Sequence, residues 1–380
     1  MKILAVDIGT GTQDILLLDT RLAVENAYKL VLPAPTMVIH RKLQDATRKR
    51  LPVLLSGVIM GGGPSQWAAE AHAKAGLPLF ATPQAAMSFN DDLTAVEAMG
   101  IKVIAEDEAK KLPGDTLRVQ MQDFDFSSIR NVFHSFGVGL DDLRAVAVAV
   151  FDHGAAPPDI SDRQFRFDYL DERIRKYNRL SAFAFLRENI PGIMTRLQAV
   201  ADSNNEVPFP FILMDTAPAA VLGATFDPHV QSQSRALIAN IGNFHTLAFR
   251  LGPAGIEGVF EHHTGLLTPA RLEKLILSLA DSSLKHQDVF EDHGHGALIY
   301  SLEPLDLTHT PGKFIATGPR RGMLQNSLLA PYFAVPFGDM MIAGCFGLLA
   351  SVADLIPDLH DPIMNSLHGS TGTAISPWDI

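Results

Sequence analysis

A carboxylate placed just before a run of small, backbone-exposing residues can hold a metal-bound phosphate. In "MKILAVDIGTGTQDILLLDT" an apolar run reaches Asp7 and then passes through Gly9, Thr10, Gly11 and Thr12. Glycine permits the backbone angles and the close approach by which N–H groups point at phosphate oxygens, and the threonine hydroxyls add further donors. Asp7 can hold a magnesium ion through water, because phosphate-bound magnesium keeps much of its hydration. Asp14 is an unusual neighbour, since a carboxylate repels phosphate unless a metal intervenes. It either faces away or shares the magnesium with Asp7. Glycine-turn hairpins are common, so the pattern needs company elsewhere in the chain.

Other stretches offer such company. "VIMGGGPSQW" presents a strand, three glycines and a helix start, an arrangement that binds anions, with Gly62, Gly63 and Ser65 as candidate substrate contacts. It lacks the GK[ST] ending of a Walker loop, and Gln66 stands where a dinucleotide fingerprint needs a small residue. "FDHG" puts Asp152 and His153 at a strand end, an acid and a titratable base together. Histidines recur at His245, His262, His263, His293 and His295. A metal site could draw on Asp152, His153, His262 and His295, although no HExxH-type spacing is present. Alternatively His153 and His245 serve acid–base or phosphate contacts, or the histidines are ordinary loop residues. Arg320 and Arg321 either reach phosphate or nucleobase or start a solvated helix.

The elements that must position these residues are short strands alternating with helices. "KILAVDI" and "DILLLD" are too short for helices and are bounded by turn residues, which predicts a hairpin that "AYKLVL" extends. Helices are predicted at Thr36–Arg50, from Pro64 to Gly76, near Asp91–Met99, from Asp168 to Ala201 and from Thr268 to Leu284. "LPVLLSGVIM", "LPLFATPQ", "IKVIA", "LRAVAVAVFDHG" and "FPFILMD" read as strands, and residues 110–140 as an irregular edge insertion. A second hairpin, "ALIANIG" with "TLAFRL", repeats the strand, glycine turn and strand of the chain's start. The whole predicts α/β layers.

Composition narrows the function classes. A chain of 380 residues suits two lobes, and 47% hydrophobic against 19% charged residues is globular rather than disordered. A formal charge of −11 without a basic stripe argues against nucleic acid. Cys345 is the only cysteine, which leaves no disulfide framework and no thiolate metal cluster and fits a reducing cytoplasm. The start reads as a core strand rather than a signal peptide, and no stretch reaches eighteen uninterrupted apolar residues, so no membrane span is expected.

Five segments in order resemble the superfamily of actin, sugar kinases and heat-shock ATPases. "VDIGTGTQDILLLD" is similar to its phosphate-1 motif, "MDTAPAAVLGA" to connect-1, "IANIGNFHTLAF" to phosphate-2, "FIATGPRRGML" to the adenosine motif and "GDMMIAGCFGLL" to connect-2. The resemblance implies a two-lobed actin-like ATPase (ribonuclease H-like) α/β fold around an interlobe ATP cleft. It implies a first lobe over residues 1–222, to which a C-terminal helix at 345–380 returns, and a second lobe over 223–344. Gly9 to Thr12 and Gly242 with Thr246 would clasp the phosphates, with Asn240 and His245 in the same motif. Gly318 would let adenine or ribose approach, Gly344 would pack the interlobe helix, and Asp215 would orient water or magnesium. One departure stands out: phosphate-2 normally begins with Asp, whereas Asn240 adds no charge and cannot act as a general base.

"DIGTGTQD", "MGGGPS", "FDHG", "EHHTG" and "GHG" further resemble a bacterial and archaeal branch labelled as pyruvate formate-lyase activating enzyme-like. Glycyl-radical activases need three closely spaced cysteines, and this chain has one in all. The expectation is therefore an ATP-binding, magnesium-dependent phosphotransferase (small-molecule kinase) or ATPase, with Asp7 on the metal and Asp152 or Asp215 as proton acceptor. Its substrate would lie between the lobes. A slow nucleotide-dependent sensor or activator acting on a protein partner is the first alternative. A metal-dependent hydrolase using the histidines is the second.

Overall fold

A computed structural model describes residues 1–157, 159–307, 309, 312–369 and 375–379 of the chain. Its first sheet grows from the opening hairpin. β1 (Lys2–Ile8) pairs antiparallel with β2 (Thr12–Asp19), which pairs with β3 (Tyr28–Pro33). On its other side β1 runs parallel to β8 (Leu143–Val150), followed by β10 (Phe211–Asp215) and the short antiparallel β9 (Ala184–Leu186).

Successive side chains point to opposite faces, so the near-continuous apolar runs of β1 and β8 bury both faces of this sheet. Leu4, Val6 and Ile8 share one core with Val146, Val148 and Val150. Ile3 and Ala5 share the opposite core with Ala145, Ala147 and Ala149, and that small-residue face takes the helix Ala343–Leu355.

The second sheet repeats the plan. β11 (Ala236–Ile241) and β12 (His245–Gly252) form its hairpin, and β13 (Gly255–His263) and β14 (Gly296–Ile299) continue it antiparallel. β15 (Phe314–Thr317) and β16 (Tyr332–Phe333) run parallel on the other side of β11. The orders β3-β2-β1-β8-β10 and β13-β12-β11-β15-β16 are the same five-strand arrangement, so the duplication legible in the glycine turns extends to whole sheets. This is the two-lobed actin-like arrangement expected from the five motifs.

Two helices cross where the sheets meet. Thr216–Ala224 and Ala343–Leu355 approach so closely that a Cβ on Gly223 would lie 1.6 Å from the Ala343 carbonyl oxygen, and one on Gly347 would lie 1.9 Å from that of Ala219. On another side the helix Asp162–Tyr177 straps the second sheet to the first: Arg163 donates to the carbonyls of Phe290 and Gly294, and the Tyr300 hydroxyl donates to Asp171 at 2.8 Å.

Three expectations change. The helix over 168–201 is broken: Asp162–Tyr177 ends at Asn178, whose φ of 46° reverses the chain, and a 3-10 turn, β9 and the helix Thr195–Asp202 follow. Residues 110–140 are not irregular throughout, and the strands read in "LPVLLSGVIM", "LPLFATPQ" and "IKVIA" lie outside the first sheet. β4 (Val53–Gly57), β5 (Leu79–Ala81), β6 (Lys102–Val103) and β7 (Leu117–Met121) form a separate parallel sheet, β6-β5-β4-β7, with its own core, and β7 lies inside the stretch read as irregular. The C-terminal helix of 345–380 is two helices, Ala343–Leu355 and Pro357–Leu367, broken ahead of Pro357; residues 370–374 and 380 lie outside the described residues.

Candidate functional site

The two hairpin turns close in the same way. Gly9 N–H donates to the Thr12 carbonyl at 2.9 Å, and Gly242 N–H donates to the His245 carbonyl at 2.9 Å. Each turn thereby leaves two N–H groups at its tip, those of Thr10 and Gly11 and those of Asn243 and Phe244, with no acceptor among the described residues. The tips nearly touch: a Cβ on Gly11 would come 3.1 Å from Asn243 Nδ2. Between them opens a cavity of about 350 Å³, lined by Asp7 to Thr12 and Asp14 on one side and by Asn240, Gly242 to His245 and Thr317 to Pro319 on the other. Gly61 to Gly63, Ser88, Asp91 and Phe151 to His153 line it from the loops of the separate sheet and the end of β8, and Gly344 also lines it. Unpaired backbone donors on residues that line a shared cavity offer an anion cradle.

Asp7 and Asp14 are cross-strand partners in the β1–β2 register, and both are buried. Thr216 Oγ1 donates to Asp7 Oδ1 at 2.5 Å, while Asp14 Oδ1 has no hydrogen-bond partner among the described residues. Burial pushes the Asp7 carboxyl up to about 7 against the Thr216 hydrogen bond, with Asp215 adding to the rise. Burial and the neighbouring Asp7 push Asp14 up to about 8. Two adjacent buried carboxyls with an orphaned oxygen and, among the described residues, no cationic side chain hydrogen-bonded to either fit a hydrated divalent cation. Gly344 is required beside them, because a Cβ there would stand 1.9 Å from Asp7 Oδ2.

Asn240 holds in β11 the place that Asp7 holds in β1, two residues before the turn glycine, so the site is charged on one lobe only. Its Oδ1 packs towards Gly318, which has a φ of +93° and where a Cβ would lie 2.5 Å from that oxygen. Gly318 is thus fixed by its backbone angle and by the Asn240 contact.

Several residues singled out by sequence are turned to other work. Asp152 Oδ1 accepts from Gly154 N–H, and its Oδ2 accepts from the N–H groups of Arg196 and Leu197, so its carboxylate caps the start of the Thr195–Asp202 helix. Asp215 is buried, accepts from Ala217 N–H and is ion-paired to Arg166. Neither carboxylate stands free as a proton acceptor. Thr246 is buried with its hydroxyl against Thr264 at 2.9 Å and does not line the cavity.

The anion reading of the Pro64 helix start weakens in the same way. Ser65 is buried, its N–H is taken by Thr36 Oγ1, and Thr36 in turn donates to the Gly62 carbonyl. Gly62 and Gly63 do line the cavity, and a Cβ on Gly63 would strike the Phe244 ring at 2.5 Å. Arg320 and Arg321 do not line it. His153 is exposed at the rim, with Nδ1 2.9 Å from the Gly154 carbonyl oxygen.

Sequence reasoning missed Thr216, Asn243, Phe244 and Asp91. The first follows from the helix start after β10, and the next two from the turn itself. Asp91 sits in a loop with no motif around it; burial raises its carboxyl, with His153 opposing the rise.

The histidines also sort differently from the expected set. His245, His263 and His295 converge, whereas His153 is not among them and His262 turns to the His263 carbonyl and to Asp292. Buried Glu261 lies behind the trio and accepts from His245 Nδ1 at 2.9 Å and from Arg166 Nε at 3.1 Å. Burial would raise the Glu261 carboxyl, but Arg166, His295 and His245 together hold it well below the carboxylate range. Burial lowers His263 to about 4, helped by the neighbouring His245, and lowers His295 to about 3 against the pull of Glu261.

Among solved structures, the chain aligns over 99% of its length with all of the activator of the 2-hydroxyisocaproyl-CoA dehydratase from Clostridium difficile with bound ADPNP, at 8% identity and a TM-score of 0.34. It aligns over 92% of its length with 89% of the ethanolamine utilization protein EutJ from Carboxydothermus hydrogenoformans, at 11% identity and a TM-score of 0.29. It aligns over 67% of its length with 47% of the ROK hexokinase from Thermus thermophilus, at 11% identity and a TM-score of 0.22. At such values the strand order, not the alignments, carries the fold assignment. No curated protein matches the sequence.

One family profile, described as pyruvate format-lyase activating enzyme (DUF1786), matches residues 60–323. The residues present do not supply the three closely spaced cysteines that a glycyl-radical activase needs, since Cys345 is alone and buried, with Sγ 3.1 Å from the Asp14 carbonyl oxygen. What the match does fix is kinship, because it runs from the glycines before the Pro64 helix to the turn after β15: the chain belongs to the DUF1786 family.

Proposed function

We propose that the protein binds ATP with magnesium between its two lobes and turns it over slowly, acting as a nucleotide-dependent switch. The observation that carries this reading is the pair of duplicated glycine turns, in which four residues whose N–H groups have no acceptor among the described residues line one cavity beside Asp7 and Asp14. Backbone donors of this kind recognise phosphate oxygens irrespective of side-chain charge. Asp7 and Asp14 would hold magnesium, which supplies neutralisation of phosphate charge when bound. Thr216 fixes the Asp7 carboxylate, and the close helix crossing at Gly223 and Gly347 holds in place the helix whose Gly344 packs against Asp7.

Slow turnover follows from the remaining residues. An efficient hydrolase positions a base or a water-orienting group beside the terminal phosphate. Here Asp152 and Asp215 are tied to backbone N–H groups and to Arg166, and Asn240 carries no charge. The contacts of Phe244 with Gly63 and Trp67 join the second turn to the separate sheet and offer a route by which a bound phosphate is felt elsewhere, for a protein partner to read.

A second reading, phosphoryl transfer to a small molecule, has one observation in its favour. The cavity continues to Ser88 and Asp91, and among the described residues the Asp91 carboxylate makes no hydrogen bond. ATP turnover by the purified protein separates the two. The switch reading expects hydrolysis at about 0.01 per second or slower, unchanged in Asp91→Asn. Turnover on the order of 1 per second or faster that collapses in Asp91→Asn would replace it with the kinase reading.

A further inference from the structure

Beside the second glycine turn, three histidines from three separate segments meet. His245 begins β12 and His263 ends β13, and the antiparallel register makes them direct partners. His295 arrives from the segment ahead of β14. The ring centroids are 5.0 Å apart for His245–His263, 5.0 Å for His245–His295 and 4.7 Å for His263–His295, and one ring nitrogen of each lies within 4.8 Å of the others. A tetrahedral ion with metal–nitrogen bonds near 2.0–2.1 Å sets its ligand nitrogens roughly 3.3 Å apart, so modest ring rotations complete the set.

Hydrogen bonding distinguishes this cluster from an ordinary polar core, where buried ring nitrogens are paired. Among the described residues only His245 of the three has a ring hydrogen bond, to Glu261. His295 is 3% exposed, and its Nδ1 makes no hydrogen bond among the described residues, with Glu261 Oε1 3.7 Å away, beyond hydrogen-bond distance. The Glu261 contact is also the one metal sites use, because a carboxylate on Nδ1 fixes the ring and leaves Nε2 free to ligate. Glu261 is itself held by Arg166, which is tied to Asp215 and to the Asp152 carbonyl.

We propose that His245, His263 and His295 bind a divalent first-row transition ion of the zinc type, with Glu261 orienting His245. Three imidazoles suit such an ion, whereas magnesium takes oxygen ligands, so this site is distinct from the Asp7–Asp14 position. Three protein ligands leave a coordination position for water or an anion. The inference does not depend on nucleotide binding. The two meet at His245, which lines the cavity and whose carbonyl closes the Gly242 turn.

The test titrates metal-free full-length protein with Co²⁺, read by visible absorption, and with Zn²⁺, read by calorimetry. The expected result is one ion per chain with a cobalt spectrum of low-coordinate nitrogen ligation. Affinity should fall by about 100-fold or more in His263→Ala and His295→Asn and by roughly 10- to 100-fold in Glu261→Gln, and should stay the same in His153→Ala. Circular dichroism of each metal-free variant checks its fold. A wild-type protein that gives no such spectrum and no stoichiometric zinc binding overturns the proposal without any variant. Binding lost in His153→Ala but kept in folded His295→Asn overturns it as well.

Discussion

Gly344→Ala tests the site floor with a single methyl group. The new Cβ would stand 1.9 Å from Asp7 Oδ2, 2.5 Å from its Cγ and 3.0 Å from its Cβ. β1 is paired on both sides, so the Asp7 backbone cannot retreat, and the helix carrying Gly344 is held at the Gly223 and Gly347 crossing. The Asp7 side chain must therefore rotate and give up the Thr216 hydrogen bond. Overpacking costs about 1–3 kcal/mol, and the lost hydrogen bond adds about 1 kcal/mol. The better helix propensity of alanine returns at most about 1 kcal/mol, less in the first turn of a helix, so the net effect is destabilising by about 1–3 kcal/mol. Urea unfolding measures it, with Gly114→Ala, where a Cβ meets nothing within 4 Å, as the control. Because Asp7 is displaced, magnesium-dependent ATP affinity should fall in parallel by about tenfold or more. An unchanged unfolding midpoint together with unchanged ATP affinity would refute the packing argument and the role given to Asp7 at once.

Three further outcomes are expected. Asp7 and Asp14 hold their protons more tightly in the folded protein than in the unfolded chain, so metal-free stability should decline as pH rises from about 4 to about 8. Urea midpoints across that range should show the decline, and Asp14→Asn should flatten it; a midpoint that climbs through the window contradicts the assignment. Arg166→Ala should destabilise by about 3–5 kcal/mol because it strands Asp215 and Glu261 as buried carboxylates, and wild-type stability in that variant would show the pair to be dispensable. Asn240→Asp should raise basal ATP hydrolysis by about 100-fold if the missing charge limits turnover, whereas a fall or no change would place the limit elsewhere.

Much of the fold was legible because it is repeated. "VDIGTGTQ" and "IANIGNFH" each carry an apolar strand into a glycine turn, and their shared spacing alone makes Asp7 the equivalent of Asn240. The separate sheet was not legible as such, since β5 and β6 are only three and two residues long and nothing in "LPVLLSG" says which sheet it joins. Asp152 and Asp215 looked like free acids at strand ends, yet Asp215 caps the helix that follows it, a competing use that any Asp before a helix invites, and Asp152 caps the Thr195–Asp202 helix, a long-range contact that local sequence does not record. Of the expected metal set only His295 belongs to the trio: counting outward from the Pro253–Ala254 turn pairs His245 with His262, and the register shift between Arg250 and Leu251 brings His263 opposite His245 instead. His295 comes from a loop whose path no periodicity records.

Calorimetric titration of ATP into wild-type protein and Asp7→Asn, with magnesium and with EDTA, bears most directly on the nucleotide site. The expected result is one ATP per chain bound in a magnesium-dependent way, with affinity reduced about tenfold or more in a folded Asp7→Asn protein. No binding at millimolar ATP with magnesium, or equal binding in EDTA and in the variant, would contradict it.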